Sequence, residues 1–338
     1  MHMSDALLSP IVGGAFWVIS GTLIGYSAKK IAEENDHAKT PLMGVMGAFI
    51  FAAQMINFSI PGTGSSGHLG GGLLLAALLG PYRAFITLSS VLIIQSLFFA
   101  DGGLLALGCN MFNLAFFPAF LTYPFIFRKI TGNNPSQQRL AAGSISAASA
   151  GLLMGAFSVV IETTLSGISE LPFGSFMLFM MPIHLAIGIV EGLVTWAVLS
   201  FIAKTDPSLL SSTQHAARPR AAVLGVLTIT ALLTGGILSL FASSSPDGLE
   251  WSMSRTSGSE ELKKNGEPIH ELLGSLQEKI AFLPDYSFKT ADEPSSTADS
   301  PINPGTTVSG LAGSLSVLIM AGLAGLVLAK KRTRESHR

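Results

Sequence analysis

Histidine is the second residue of this chain, in the start Met1-His2-Met3-Ser4-Asp5, and that position has a chemistry of its own. A terminal amine, the peptide nitrogen of residue 2 and the imidazole of residue 2 can chelate one metal ion in fused five- and six-membered rings. These are three nitrogens, and a tetragonal ion of the Ni(II) or Cu(II) type, which suits such a site better than tetrahedral zinc, takes a fourth. No Lys or Arg precedes the first apolar stretch, and Asp5 lies ahead of it, so the start lacks the positive region of a cleavable signal peptide. Met1, followed by a bulky histidine, is expected to be retained.

A fourth nitrogen has to reach the side of the molecule that holds His2, so the elements decide which residues qualify. Of 338 residues 49% are hydrophobic and only 12% charged, against roughly 25% charged in a soluble domain, and the mean hydropathy is +0.53. Uncharged runs of 23 residues (Ala6 to Ala28), 43 (Thr40 to Tyr82), 26 (Gly102 to Phe127), 22 (Leu140 to Ile161) and 30 (Ser300 to Ala329) occur, where about 20 suffice to cross a bilayer. The pattern predicts an all-α, polytopic membrane helix bundle. Nine spans are expected, near Leu7–Ala28, Pro41–Asn57, Leu69–Gly80, Ala84–Ala100, Leu104–Phe127, Leu140–Leu165, Phe176–Ala203, Ala221–Ala242 and Gly310–Ala329. A net charge of -1 offers no basic surface for nucleic acid, and the single cysteine, Cys109, excludes an internal disulfide.

With the N-terminus outside, the inner positions hold 15 of the 20 Lys and Arg. The other five, Arg255, Lys263, Lys264, Lys279 and Lys289, fall in one long outer loop, 243–309, whose charge has little say in topology. The expected protein is a multi-pass component of the cell (inner) membrane with its C-terminus in the cytoplasm. The run Leu69–Gly80 rises only about 18 Å as a helix, less than the roughly 30 Å hydrocarbon core. The Gly- and Ser-rich stretch from Ile60 through His68 to Gly72 is expected to dip into the protein interior as a loop, because its peptide groups would go unsatisfied in lipid. The polar stretch 204–220, with Asp206-Pro207 and Pro219, reads as a cytoplasmic linker between a seven-span unit, 1–203, and a two-span module, 221–338. The loop of that module has 11 acidic and five basic residues, with a short helix expected over Glu260–Ile280 and a flexible tether over Asp292–Pro304.

Sidedness sorts the seven histidines. His37, His215 and His337 fall on the inner side in polar segments and read as solvated, and His270 lies in a charged stretch of the outer loop and reads as a surface residue. His68 shares the side of His2 and could supply the fourth nitrogen. It could equally cap a helix, with His2 a residue of no special role, and both readings stand on spacing alone. Glu162, His184 and Glu191 lie in apolar spans, where an ionisable group is a functional candidate by default. His184 and Glu191 are seven apart and share one helix face; structural hydrogen bonds between helices are the other reading. No G-x-x-x-x-G-K-[ST] pattern occurs, so the chain does not cradle ATP by the usual route, and without H-E-x-x-H an intramembrane metalloprotease is disfavoured.

Four ordered stretches carry a family resemblance: the start; Gln54-Met-Ile-Asn57-Phe-Ser-Ile-Pro-Gly-Thr63-Gly-Ser65-Ser-Gly-His68-Leu-Gly-Gly; Gly108-Cys-Asn110-Met-Phe-Asn113-Leu-Ala; and His184-Leu-Ala-Ile-Gly-Ile-Val-Glu191-Gly-Leu-Val-Thr. Residues 1–203 resemble the CbiM/NikM family, the substrate-binding S components of energy-coupling-factor transporters for nickel and cobalt. Pro246-Asp-Gly-Leu-Glu250-Trp with Leu283-Pro-Asp-Tyr286 resembles the fused, two-helix N-type component. The resemblance implies a transport component and not an enzyme, capturing Ni(II) or Co(II) as transported substrate without an organic cofactor. It implies a transmembrane coupling (T) protein and ATPase subunits as partners, the latter hydrolysing ATP. It also implies metal ligation by Met1, His2 and His68, and the start looks more like the nickel branch than the cobalt branch. A cobalt-selective component serving cobalamin synthesis, or a proton-coupled secondary transporter using Glu162, His184 and Glu191 as a relay, are the alternatives.

On this reading Gln54, Asn57, Thr63, Ser65, Asn110 and Asn113 are candidates to position the N-terminus and the His68 loop, since metal-bound histidine usually donates its other N–H to an acceptor. Plain hydrogen bonding between helices is their other reading. Gly44, Ala48 and Ala52 put small residues on one face of the second span. Because S components dock on the coupling protein through such a stripe, they are candidates for that contact.

Overall fold

Backbone in lipid satisfies its N–H and C=O groups only in a helix or a closed barrel, and each of the nine apolar runs is helical. The computed structural model describes residues 2–34, 39–133, 135–210, 221–258, 268–289 and 304–335. In chain order the helices are α1 (Pro10–Glu34), α2 (Thr40–Gln54), α3 (Gly72–Leu79), α4 (Pro81–Phe99), α5 (Leu107–Thr131), α6 (Gln137–Ser166) and α7 (Phe173–Thr205). After them come α8 (Ala221–Gly236), α9 (Gly248–Ser257), α10 (Pro268–Ile280) and α11 (Pro304–Glu335). Among the described residues six of these are long and apolar enough to span a bilayer, namely α1, α4, α5, α6, α7 and α11. In α5, Pro118 and Pro124 lie inside a stretch, Phe112–Phe127, wound as π-helix. Proline has no N–H to give the usual i to i−4 ladder, and the wider winding accommodates that loss.

Met1, His37, His215, His337, most of the linker and the 292–303 part of the tether lie outside the described residues. The segment before α3 does turn inward, but as a hairpin that the Gly/Ser composition concealed: β1 (Phe58–Ile60) pairs antiparallel with β2 (Ser65–Gly67), Ser59 opposite Ser66. Gly62 and Gly64, with φ of 77° and 75°, turn the chain between them, a conformation costly for any residue with a Cβ. In the loop module the expected helix is described over Pro268–Ile280, residues 260–267 lying outside the described residues, and α9 was not anticipated. Asp247 caps α9 in a reciprocal box with Glu250, the D-x-x-E pattern being its local cause.

Helices α6 and α7 meet along small residues. A Cβ on Gly188 would stand 2.6 Å from the Ser149 Cα, and one on Gly192 would run into the backbone of Ile145. The pair of glycines four apart therefore lets the two backbones close up. Gly188→Ala should destabilise the fold by about 1–3 kcal/mol, the usual cost of overpacking, read as a lowered melting temperature of the purified protein; an unchanged melting temperature would mean that the seam yields freely.

The second helix corrects an expectation. Gly44, Ala48 and Ala52 do not form an open face: Ala48 and Ala52 are buried, and a Cβ on Gly44 would lie 2.8 Å from the Leu318 carbonyl of α11. The neighbouring Gly47 meets Val317 and Ala321 in the same way. The stripe is the seat of this chain's own last helix, so it is not available to a coupling protein in this arrangement.

Candidate metal centre

The segment ahead of α1 is tied into the bundle by backbone-directed side chains. Asn110 pairs with the Met3 backbone in both directions, accepting from its N–H at 2.8 Å and donating to its carbonyl at 3.2 Å. Gly103 N–H donates to the same carbonyl, and Asp5 accepts from Ala106 N–H at 2.9 Å. Asn113 donates to Glu162, which also accepts from Ser158, and reaches the Met3 sulfur at 3.6 Å. These bonds carry His2 inward.

The loop bearing His68 is fixed from below. Both oxygens of the buried Glu191 carboxyl accept backbone N–H groups, from Gly70 at 2.7 Å and Gly71 at 3.1 Å. Gln54 donates to the Gly70 carbonyl and accepts from Gln95. Thr63 and Ser65 shape the hairpin turn, while Asn57 takes a hydrogen bond from Ser243 N–H through its carbonyl. Of the intramembrane candidates, Glu162 and Glu191 thus hold the two segments. The His184 Nδ1–H donates to the Met180 carbonyl one turn back, and its ring lies beneath Gly248 of the loop module.

The outcome is that the His2 and His68 rings lie stacked, 5.1 Å between centroids and 14° from parallel. The Nδ1–H of His68 donates to the Leu69 carbonyl at 3.1 Å, which leaves Nε2 as the electron-pair nitrogen. Burial is the main cause that holds both imidazoles down at about 3, so both are neutral at physiological pH, the form that binds metal. Among the described residues no three His, Cys, Asp or Glu side chains form a ready cage, so an ion at this pair has to draw on backbone nitrogen as well.

Two carboxylates that the sequence reading missed border the pair. Asp101 approaches His2 Nδ1 at 3.3 Å and accepts a 2.5 Å hydrogen bond from Tyr286. Asp247 uses Oδ1 to cap α9 and turns Oδ2 towards His68 Nε2, 4.0 Å away. They and the two histidines line a cavity of about 670 Å³ between the bundle and the loop module. A usable signal existed for each: Asp101 is an acid in the short connection that shares a side with His2, and Asp247 opens a capping-box pattern. The loop module is seated on the His68 hairpin itself. Trp251 donates to the Thr63 carbonyl at 3.0 Å, Ser66 N–H donates to the Pro246 carbonyl at 2.8 Å, and Tyr286 stacks on Phe99. His270 is also not a plain surface residue: its Nε2 donates to the Leu8 carbonyl at 3.0 Å.

The low values of His2 and His68 set a pH dependence. An imidazole whose folded pKa lies below its unfolded 6.5 takes up protons first in the unfolded chain, so stability is undiminished above pH 6.5 and falls as pH drops from there towards 3. Asp101, raised above its ordinary value chiefly by burial, works in the opposite sense. Between pH 7 and pH 5 the metal-free protein should therefore lose more melting temperature, or gain less, than His68→Gln does. A slope that is the same in the variant would remove His68 as its source.

Fold and site together define a multi-pass membrane protein with a buried histidine pair at one face, the makings of a transport component. The chain belongs to the family described as the cobalt uptake substrate-specific transmembrane region, which it matches over residues 2–209, with a PDGLE domain over residues 221–330. It is similar to a fused nickel transport protein, NikMN, of Archaeoglobus fulgidus, 32% identical over 95% of this chain and 96% of that one. It is also similar to the fused nickel transport protein NikMN of Rhodobacter capsulatus, 27% identical over 74% of this chain and 75% of that one. The crystal structure of a truncated transition metal transporter superposes with a TM-score of 0.54 at 31% identity, covering 61% of this chain and 99% of the other. The family resemblance read from the four motif stretches and the loop module holds.

Proposed function

We propose that this chain is the substrate-specific membrane component of an ATP-driven energy-coupling-factor transporter that takes up Ni(II), with Co(II) as the alternative cargo. The ion is held by the Met1 amine, the His2 amide and imidazole, and His68 Nε2. In this reading residues 1–203 bind the metal, 204–220 link, and 221–338 form the N-type module. The N-terminus faces outside the cell (inner) membrane, the C-terminus faces the cytoplasm, and a coupling protein and ATPase subunits supply the energy.

The observation that carries the reading is the stacked, buried His2–His68 pair, whose first member is residue 2. Nitrogen donors in a tetragonal set favour nickel, and both fused relatives above are named for nickel transport. Against a proton relay speaks the commitment of Glu191 to two backbone N–H groups and of Glu162 to Asn113 and Ser158.

Titrating the purified protein, its N-terminus unmodified, with Ni(II), Co(II) and Zn(II) tests this. Nickel should bind tightest, with the absorption of a low-spin square-planar ion, and binding should release protons because amine and amide must shed theirs. With the imidazoles already neutral, affinity should climb mainly as the amine titrates, at about pH 7.7–8.0 in its ordinary state. In cells, uptake should need the ATPases and survive a proton uncoupler. Uptake that persists without ATPases and stops with the uncoupler overturns the ATP-driven reading.

A further inference from the structure

Helix α10 has three faces of different character. At about 100° per residue, His270, Leu273 and Gln277 fall on one face, and these are its three half-buried residues. That face is bonded to the bundle: His270 to the Leu8 carbonyl, and the Gln277 amide to the Ser96 and Gly102 carbonyls at 2.9 and 2.8 Å. Glu271, Ser275 and Glu278 occupy a second, polar face, all exposed. Ile269, Leu272, Leu276 and Ile280 make a third, apolar face, and they are 39%, 65%, 45% and 38% exposed. It adjoins the bundle-bound face and lies away from the polar one.

The height of the helix is set by its anchors. Ser96 and Phe98 are at the end of the span α4, and Leu283 N–H, just past α10, donates to the Phe98 carbonyl. Phe282 leans on Phe98 at 5.2 Å and is itself half exposed. A helix fastened where a span ends lies at the level of the lipid headgroups. There, protein, water and hydrocarbon meet, one for each of the three faces. Four exposed aliphatic residues in one stripe are out of place in water and fit the acyl boundary.

We propose that α10 is an interfacial helix whose apolar face, Ile269, Leu272, Leu276 and Ile280, is seated in the lipid bilayer on the His2 side. The lipid thereby presses α10 on the N-terminal segment through the His270–Leu8 contact. The polar face carries two Glu against Lys279, so the attraction is apolar and does not depend on anionic headgroups.

The test uses the full chain with Cys109, which is buried, replaced by Ala. Single cysteines at Leu272, Leu276, Ser275 and Glu278 are labelled with an environment-sensitive fluorophore. The protein is reconstituted in phosphatidylethanolamine/phosphatidylglycerol bilayers containing a lipid with a quencher high on its acyl chain. Quenching should be roughly two- to threefold stronger at 272 and 276 than at 275 and 278, and independent of the phosphatidylglycerol fraction. Equal quenching at all four positions overturns the proposal. So does protection of 272 and 276 that arises only when other transporter subunits are added, because the occupant is then protein. To read the consequence, Leu272→Glu with Leu276→Glu should speed hydrogen exchange of the Met3–Leu8 amides in bilayers, and unchanged exchange removes the link to the N-terminal segment.

Discussion

One residue added ahead of Met1, or either of the substitutions His2→Ala and His68→Ala, should abolish high-affinity nickel binding in a protein that still folds. The extension converts the amine into a peptide nitrogen and moves every chelate ring out of register, while leaving the His2 and His68 side chains intact. His2→Ala removes one imidazole from a stacked pair that no other histidine among the described residues joins. His68→Ala leaves an incomplete nitrogen set. Loss of even an outer-shell partner of a metal site costs typically 10–100-fold in affinity, and loss of a direct ligand should exceed that. Folding should survive, because the segment is held by Asn110 and Asp5 and the loop by Glu191. Calorimetric titration with Ni(II), alongside a melting curve, separates the two effects. Undiminished affinity in the extended protein would take the amine out of the site.

The second large effect is expected at Glu191, which touches no proposed ligand directly. Its carboxyl is buried and accepts from the N–H groups of Gly70 and Gly71, two and three residues beyond His68. Glu191→Ala leaves two buried donors without partners, at about 1–3 kcal/mol each. The loop can recover only by moving, and His68 moves with it. Glu191→Ala should therefore lose both melting temperature and nickel affinity, whereas Glu191→Gln, which keeps one oxygen acceptor, should fall between. A Glu191→Ala protein with normal nickel affinity would show that the loop is held in register by the hairpin and Gln54 alone. A proton relay predicts the reverse for Glu191→Gln: intact binding with transport lost.

Much of this architecture was legible because lipid imposes strict terms. Hydrocarbon thickness sets the length of an uncharged run and unsatisfied peptide groups cost too much there, so the nine apolar stretches had to be helical. The shortness of Leu69–Gly80 likewise forced the chain just before it inward, where β2 is buried and His68 nearly so, while β1 keeps Ser59 at the surface. The chelating potential of His2 is covalent geometry and needed no fold at all. What the sequence could not reveal is which groups face that site. Asp101 and Tyr286 are 185 residues apart and meet through a single hydrogen bond. Asp247 reads locally as a helix cap, and only the seating of Trp251 and Pro246 on the hairpin turns its second oxygen to His68. The small residues of α2 read as an open docking stripe until α11 was seen lying on them. Span lengths and caps follow from near neighbours and the solvent. Partners across the bundle follow from how the helices of two modules pack, and no local pattern encodes that choice, since many faces of similar size and polarity compete for it.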